Sequence, residues 1–133
     1  MTQCGLALEH AGGFPVLRGD PEVVLAAVSQ NGLALRFASD ELRADAEVVT
    51  AAVEQDGRAL EFAAEALHDD EEVVISAVRQ NGYALQWATP RLRADKEVVT
   101  EAVRQRGAAL GYAATALRMR PDIQALAAES GWR

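Results

Sequence analysis

The chain has 133 residues, half of them apolar and 5% aromatic, and its 20 acidic against 13 basic side chains leave a net charge of −7. That length supports one domain with a core built mainly of Ala, Val and Leu, and the apolar content excludes intrinsic disorder. The longest apolar run, Val23 to Val28, is far too short to span a membrane, and the single cysteine, Cys4, excludes a disulfide framework or a cysteine-rich zinc site.

The first residues carry no basic stretch followed by an apolar one, so no secretory signal is read and an intracellular location is expected. Residues 1–19 read instead as the second half of a repeat unit. Gln3, Gly5, Ala7, Leu8 and Ala11 keep the spacing found later, and a two-residue insertion within 12–15 shifts Leu17.

Four ungapped units follow at 20–44, 45–69, 70–94 and 95–119, a period of 25 residues. Each opens with an acid, Asp20, Asp45, Asp70 or Asp95, followed by Glu-Val-Val and then Ala-Val. Next come Gln30, Gln55, Gln80 and Gln105, and two residues later Gly32, Gly57, Gly82 and Gly107. Ala-Leu, an aromatic (Phe37, Phe62, Trp87, Tyr112), Ala and Leu complete the pattern. In the first unit Val23, Val24, Ala27 and Val28 mark one face of a helix. Asp20 is its expected N-cap, as Asp45, Asp70 and Asp95 are in the later units, and Pro21 suits its first position. Gly32 and its equivalents are expected to end that helix in the left-handed conformation. A second helix is predicted over 33–38, burying Ala34, Leu35, Phe37 and Ala38. One further short turn follows, with Ser39 and Thr89 as caps. Beyond the fourth unit, Asp122, Ile123, Ala127 and Ala128 align with a fifth first helix, so 120–133 reads as a C-terminal capping helix.

Two short helices cannot bury both faces alone, so stacked neighbours must supply the rest. The fold expected is all-α: one domain over 1–133, a right-handed-type α-solenoid of helix-turn-helix repeats.

Residues 20–39 resemble the repeat family known as domain of unknown function DUF4116, notably in Asp20, Glu22-Val23-Val24, Gln30-Asn31-Gly32 and Ala38-Ser39. The unit from Asp70 keeps Gln80-Asn81-Gly82, whereas Asp56 and Arg106 replace the Asn, and Ala64 and Ala114 the Ser. The resemblance implies a small helical repeat used for interaction or assembly. It brings no catalytic residues with it.

The chemistry-bearing residues have structural explanations. The Asp–Glu pair recurs in every unit, as helix capping requires, and the run Asp69 to Glu72 lacks the alternating ligands and turn glycine of a calcium loop. His10 and His68 are too few for a zinc site, and Cys4 has no neighbouring base. No catalytic, cofactor-binding or metal residue is assigned, and an enzyme is not expected. The repeated Gln is expected to bond loop backbone in its own or the adjacent unit, with a ligand-binding row as the alternative.

The four units carry −2, −6, 0 and +1 charges in turn, an acidic second unit that argues against nucleic acid. Positions that vary between units are where a partner would be read. Leu25 and Ile75 after the Val-Val, and Leu33 and Tyr83 after the Gly, are the candidate contact surface. The expected function is a non-enzymatic protein-interaction or assembly module, the alternative being a small structural subunit of a large complex. End-to-end self-association through 1–14 and 122–133, using Leu6, Leu8 and Phe14 against Ile123, Leu126 and Trp132, competes with a reading of both ends as caps.

Overall fold

A computed structural model describes residues 19–130, and among them every regular element is helical. Residues 1–18 of the partial unit, with Gln3, Cys4, Gly5 and His10, lie outside the described residues, as does Trp132. Self-association through 1–14 therefore gains no structural account.

Each unit opens with a ten-residue α-helix: Pro21–Gln30, Ala46–Gln55, Glu71–Gln80 and Lys96–Gln105. The Asp before each is extended, and its carboxylate accepts backbone N–H groups of the first turn. Asp20, Asp45 and Asp95 take the amide of the Glu two residues on, at 3.0, 2.9 and 2.9 Å. Asp70 departs from that pattern and takes the Val73 amide alone, at 3.2 Å. These are donors that a helix start leaves unpaired.

The helix ends differently from the sequence expectation. Residues 31, 56, 81 and 106 are extended, with φ from −145° to −152°, and each returns its amide to the carbonyl four residues back. The backbone at Gly32, Gly57 and Gly82 stays out of the left-handed region. The extended residue makes the turn, so no left-handed residue is needed. The glycine serves a close approach instead: a Cβ on Gly57 would stand 2.5 Å from the Ala77 carbonyl oxygen in the next unit.

The second element is a 3-10 helix in each unit: Gly32–Phe37, Gly57–Phe62, Gly82–Trp87 and Gly107–Tyr112. Asn31, Asp56 and Asn81 cap it through their side chains, and Arg106 does not. Its Ala and Leu are buried, while Phe37, which was expected in the core, is half-buried. A third piece closes each unit: Asp40–Arg43, Pro90–Arg93 and Thr115–Arg118 are α-helical, and Glu65–Asp69 is 3-10. Ser39 caps the first, its Oγ accepting the Leu42 amide at 3.4 Å. Thr89 makes no side-chain cap, and its hydroxyl is directed to the preceding unit, where it donates to Asp69 Oδ1 at 2.6 Å.

Packing runs from neighbour to neighbour. Each long helix lies against the next, and each 3-10 helix against the next 3-10 helix and the following long helix. One core of Val, Ala and Leu passes through every unit, with Val24, Val28, Val49, Leu35, Leu60 and Leu85 fully buried. No polar or charged residue among those described is buried in it. Such burial contributes about 25 cal/mol per Å² of apolar surface, which drives the stacking. A last helix, Pro121–Glu129, covers the fourth unit through Ile123 and Ala127, whereas Ala128, aligned with a core valine, is exposed.

Candidate interaction surface

Two sets of cross-unit bonds fix how the surface is laid out. On the side of the inter-helix turn, Gln55, Gln80 and Gln105 each turn their Oε1 back to the glycine amide of the preceding unit. The Gly32, Gly57 and Gly82 N–H groups donate at 2.8, 2.5 and 2.6 Å. At the other edge, the amides of Ala64, Thr89 and Ala114 donate to the carbonyls of Arg43, His68 and Arg93 at 2.8 to 3.1 Å. The Gln and Gly at these positions are thus consumed in joining units.

Ion pairs add to the joints. Arg91 reaches the Asp69 carboxylate and carbonyl of the previous unit, both at 2.9 Å, and Arg79 meets Glu101 of the next at 2.9 Å. The Thr89 hydroxyl and the Arg91 guanidinium hold the Asp69 carboxyl below the usual carboxylate range. Within the second unit, the Arg58 guanidinium does the same to Asp56, whose partial burial works in the opposite direction. The acidic run at 69–72 is therefore split: Asp69 pairs with its neighbour unit and Asp70 caps a helix. No group of His, Cys, Asp and Glu among the described residues is arranged to hold a metal ion.

Leu25, Leu33 and Ile75 are half-buried and packed on the core, so they form part of the inter-unit packing as well as the surface. The four candidate residues stand on two registers. Thr50 separates Leu25 from Ile75, and Arg58 separates Leu33 from Tyr83. Ile75 borders a shallow depression with Thr50, Glu72 and Arg79. Tyr83 is the one with aromatic company: its ring meets that of Tyr112 edge to face, centroids 6.1 Å apart, and the Arg106 guanidinium lies 4.7 Å over it.

Among the described residues, two large apolar side chains are exposed that the sequence does not single out, Tyr112 at 37% and Met119 at 69%. Met119 stands at the last position of its unit, where Ala44, Asp69 and Ala94 are also exposed. Tyr112 is uncovered for a local reason. Arg36 folds over Phe37 at 4.5 Å, but Gly111 puts no side chain at the equivalent place.

An open groove of about 600 Å³ lies between the third pieces of units two and three. Trp87, His68, Asp69, Thr89 and Arg91 line it, and its acid is already engaged by Thr89 and Arg91. One unit further on, a smaller groove of about 190 Å³ is lined by Pro90, Arg93, Tyr112 and residues 113–115. No helix among the described residues is long and apolar enough to cross a membrane.

The family model for the domain of unknown function DUF4116 matches three times, at 1–43, 20–68 and 70–118, each of the last two spanning a pair of units. No curated protein and no solved structure matches the chain. With its tandem matches covering most of the sequence, the chain belongs to the DUF4116 family.

Proposed function

We propose that the chain is a non-enzymatic interaction module, a right-handed α-solenoid with a period of 25 residues whose variable surface positions are read by a protein partner. The observation that carries this is the division of labour along each unit. Asp, Gln, Gly, Val and Leu recur and serve capping, the inter-unit joint and the core. The positions left over differ from unit to unit, as in Leu33, Arg58, Tyr83 and Ala108. Neighbour-only packing supports the solenoid, since that is how such arrays bury a continuous core. Against an enzyme stand the acids themselves, which are spent on helix starts and ion pairs rather than gathered around a deep pocket.

The test is capture of a partner by the full chain, followed by charge introduction at the variable positions. A module loses its partner on Ile75→Asp or Tyr83→Asp while circular dichroism shows the helices retained. A partner kept by every such variant, or turnover of a substrate by the isolated chain, would overturn the reading.

A further inference from the structure

The arginines are unevenly matched with acids. Arg43, Arg58, Arg79, Arg91, Arg104 and Arg120 each have a carboxylate within ion-pair distance. Arg93, Arg106 and Arg118 have none among the described residues, and all three belong to units three and four. Arg36 also lacks one, but it stands apart in the first unit, folded over Phe37.

Arg106 and Arg93 border one stretch of surface, and Arg118 is joined to it through the backbone. Arg106 lies over the Tyr83 ring, Tyr83 meets Tyr112, and Tyr112 shares the 190 Å³ groove with Arg93. From Arg93 the backbone passes to Ala114, which bonds the Arg93 carbonyl and in turn accepts the Arg118 amide. No carboxylate lines the groove. The Arg93 Nε is buried without a hydrogen-bond partner, as is the Arg43 Nε at the same position of the first unit.

We propose that the face from Arg106 through Tyr83 and Tyr112 to Arg93 and Arg118 docks a short acidic segment of a partner protein. The proposal rests on the interaction-module reading and assigns it a site and a ligand class. Charge complementarity selects the occupant: guanidinium groups without counter-ions pair with carboxylates, and Tyr hydroxyls donate to them. The acidic second unit, at −6, limits the length of the guest. A long polyanion such as a nucleic acid strand would meet like charge on leaving the patch, whereas a short Glu- or Asp-rich segment stays within it.

Fluorescence anisotropy with the full chain at low salt tests this, using labelled oligoglutamate, oligolysine and oligothymidine as probes. Oligoglutamate binds, and Arg93→Gln and Arg118→Gln each weaken it by about tenfold, with further loss as salt is raised. Arg79→Gln, on the long helix and paired with Glu101, leaves it unchanged. Because Arg93 is half-buried, Arg118→Gln and Arg106→Gln, both at exposed positions, carry the test if that variant fails to fold. No binding of oligoglutamate, tighter binding of oligolysine or oligothymidine, or binding undiminished in the Arg106→Gln/Arg118→Gln chain would each overturn the assignment. A chain that ignores oligoglutamate yet loses a captured partner on Ile75→Asp would lose this site and keep the module reading.

Discussion

Gln80 Oε1 accepts the Gly57 amide at 2.5 Å, joining the end of one long helix to the start of the preceding unit's 3-10 helix. The bond answers a need created by the chain itself. Gly57 is the first residue of its 3-10 helix, so its N–H has no partner within that helix. Gly57 is buried, which makes the unpaired state costly. The same pairing joins Gly32 to Gln55 and Gly82 to Gln105.

Removing the acceptor should therefore be felt across a unit boundary. Gln80→Ala is expected to cost about 1–3 kcal/mol, the range for stranding a buried donor. Gln80→Glu keeps an oxygen for the amide and should recover most of the loss. Urea midpoints of the three proteins check this, and equal midpoints for Ala and Glu would assign the Gln no part in the joint.

The glycines themselves separate two explanations. If close approach is the reason for Gly57, any Cβ is harmful there, and Gly57→Ala should destabilise by about 1–3 kcal/mol, as overpacking does. Gly111, with nothing within 4 Å of the place a Cβ would occupy, should tolerate Ala. It should gain about 0.4–1 kcal/mol from a less flexible unfolded chain. Thermal melts of both variants decide, and a harmless Gly57→Ala would remove the steric account.

How much was readable beforehand follows from what each residue needs. Asp20, Asp45, Asp70 and Asp95, the Val-Val and Ala-Leu faces, and the alignment of Ile123 and Ala127 were legible because capping and apolar spacing are local signals. The role of Gly57 was not, because its reason is Ala77 in the next unit, and sequence spacing cannot distinguish a turn glycine from a contact glycine. Thr89 was lost in the same way: its hydroxyl answers to Asp69 across the unit boundary. Leu25, Leu33 and Ile75 vary between units, which marks a surface in the sequence, but varying residues can still pack. Tyr112 became exposed through an absence at Gly111, which only the fold gives meaning.

The last helix shows what the repeat supplies elsewhere. Arg120 stands before Pro121–Glu129 where the four units have Asp, and it makes no side-chain cap. Arg120→Asp should introduce one, although the exposed Arg120–Asp122 pair is lost with it. Arg120→Ala loses the pair alone, so the difference between Asp and Ala isolates the cap, expected at about 1 kcal/mol in favour of Asp. Denaturant titration of the two variants measures it, and identical stabilities would mean the helix start is already satisfied.

Asp56 ties stability to acid in a way that its counterparts do not. Asn31 and Asn81 occupy the same position and cap with a neutral amide, whereas Asp56 caps with a carboxylate that also pairs with Arg58. The Arg58 side chain holds the Asp56 carboxyl below its ordinary value in the folded chain. A carboxyl lowered on folding contributes its stability at pH values above the unfolded-state pKa of about 3.9 and loses it as pH falls through the folded value. Asp69 and Asp122 are shifted the same way by Thr89 with Arg91 and by Arg120, so Asp56 supplies one share of the acid sensitivity. Asp56→Asn preserves an oxygen for the Arg58 amide and abolishes the titration. It should lower stability slightly at neutral pH, since the arginine it pairs with is exposed and screened by solvent. The gap to the parent chain should then narrow as pH falls below the unfolded-state value and close below the lowered folded one. Urea unfolding from pH 7 down to acid measures that gap. A difference that stays constant with pH would show that the charge of the Asp56 carboxylate does not contribute to folding.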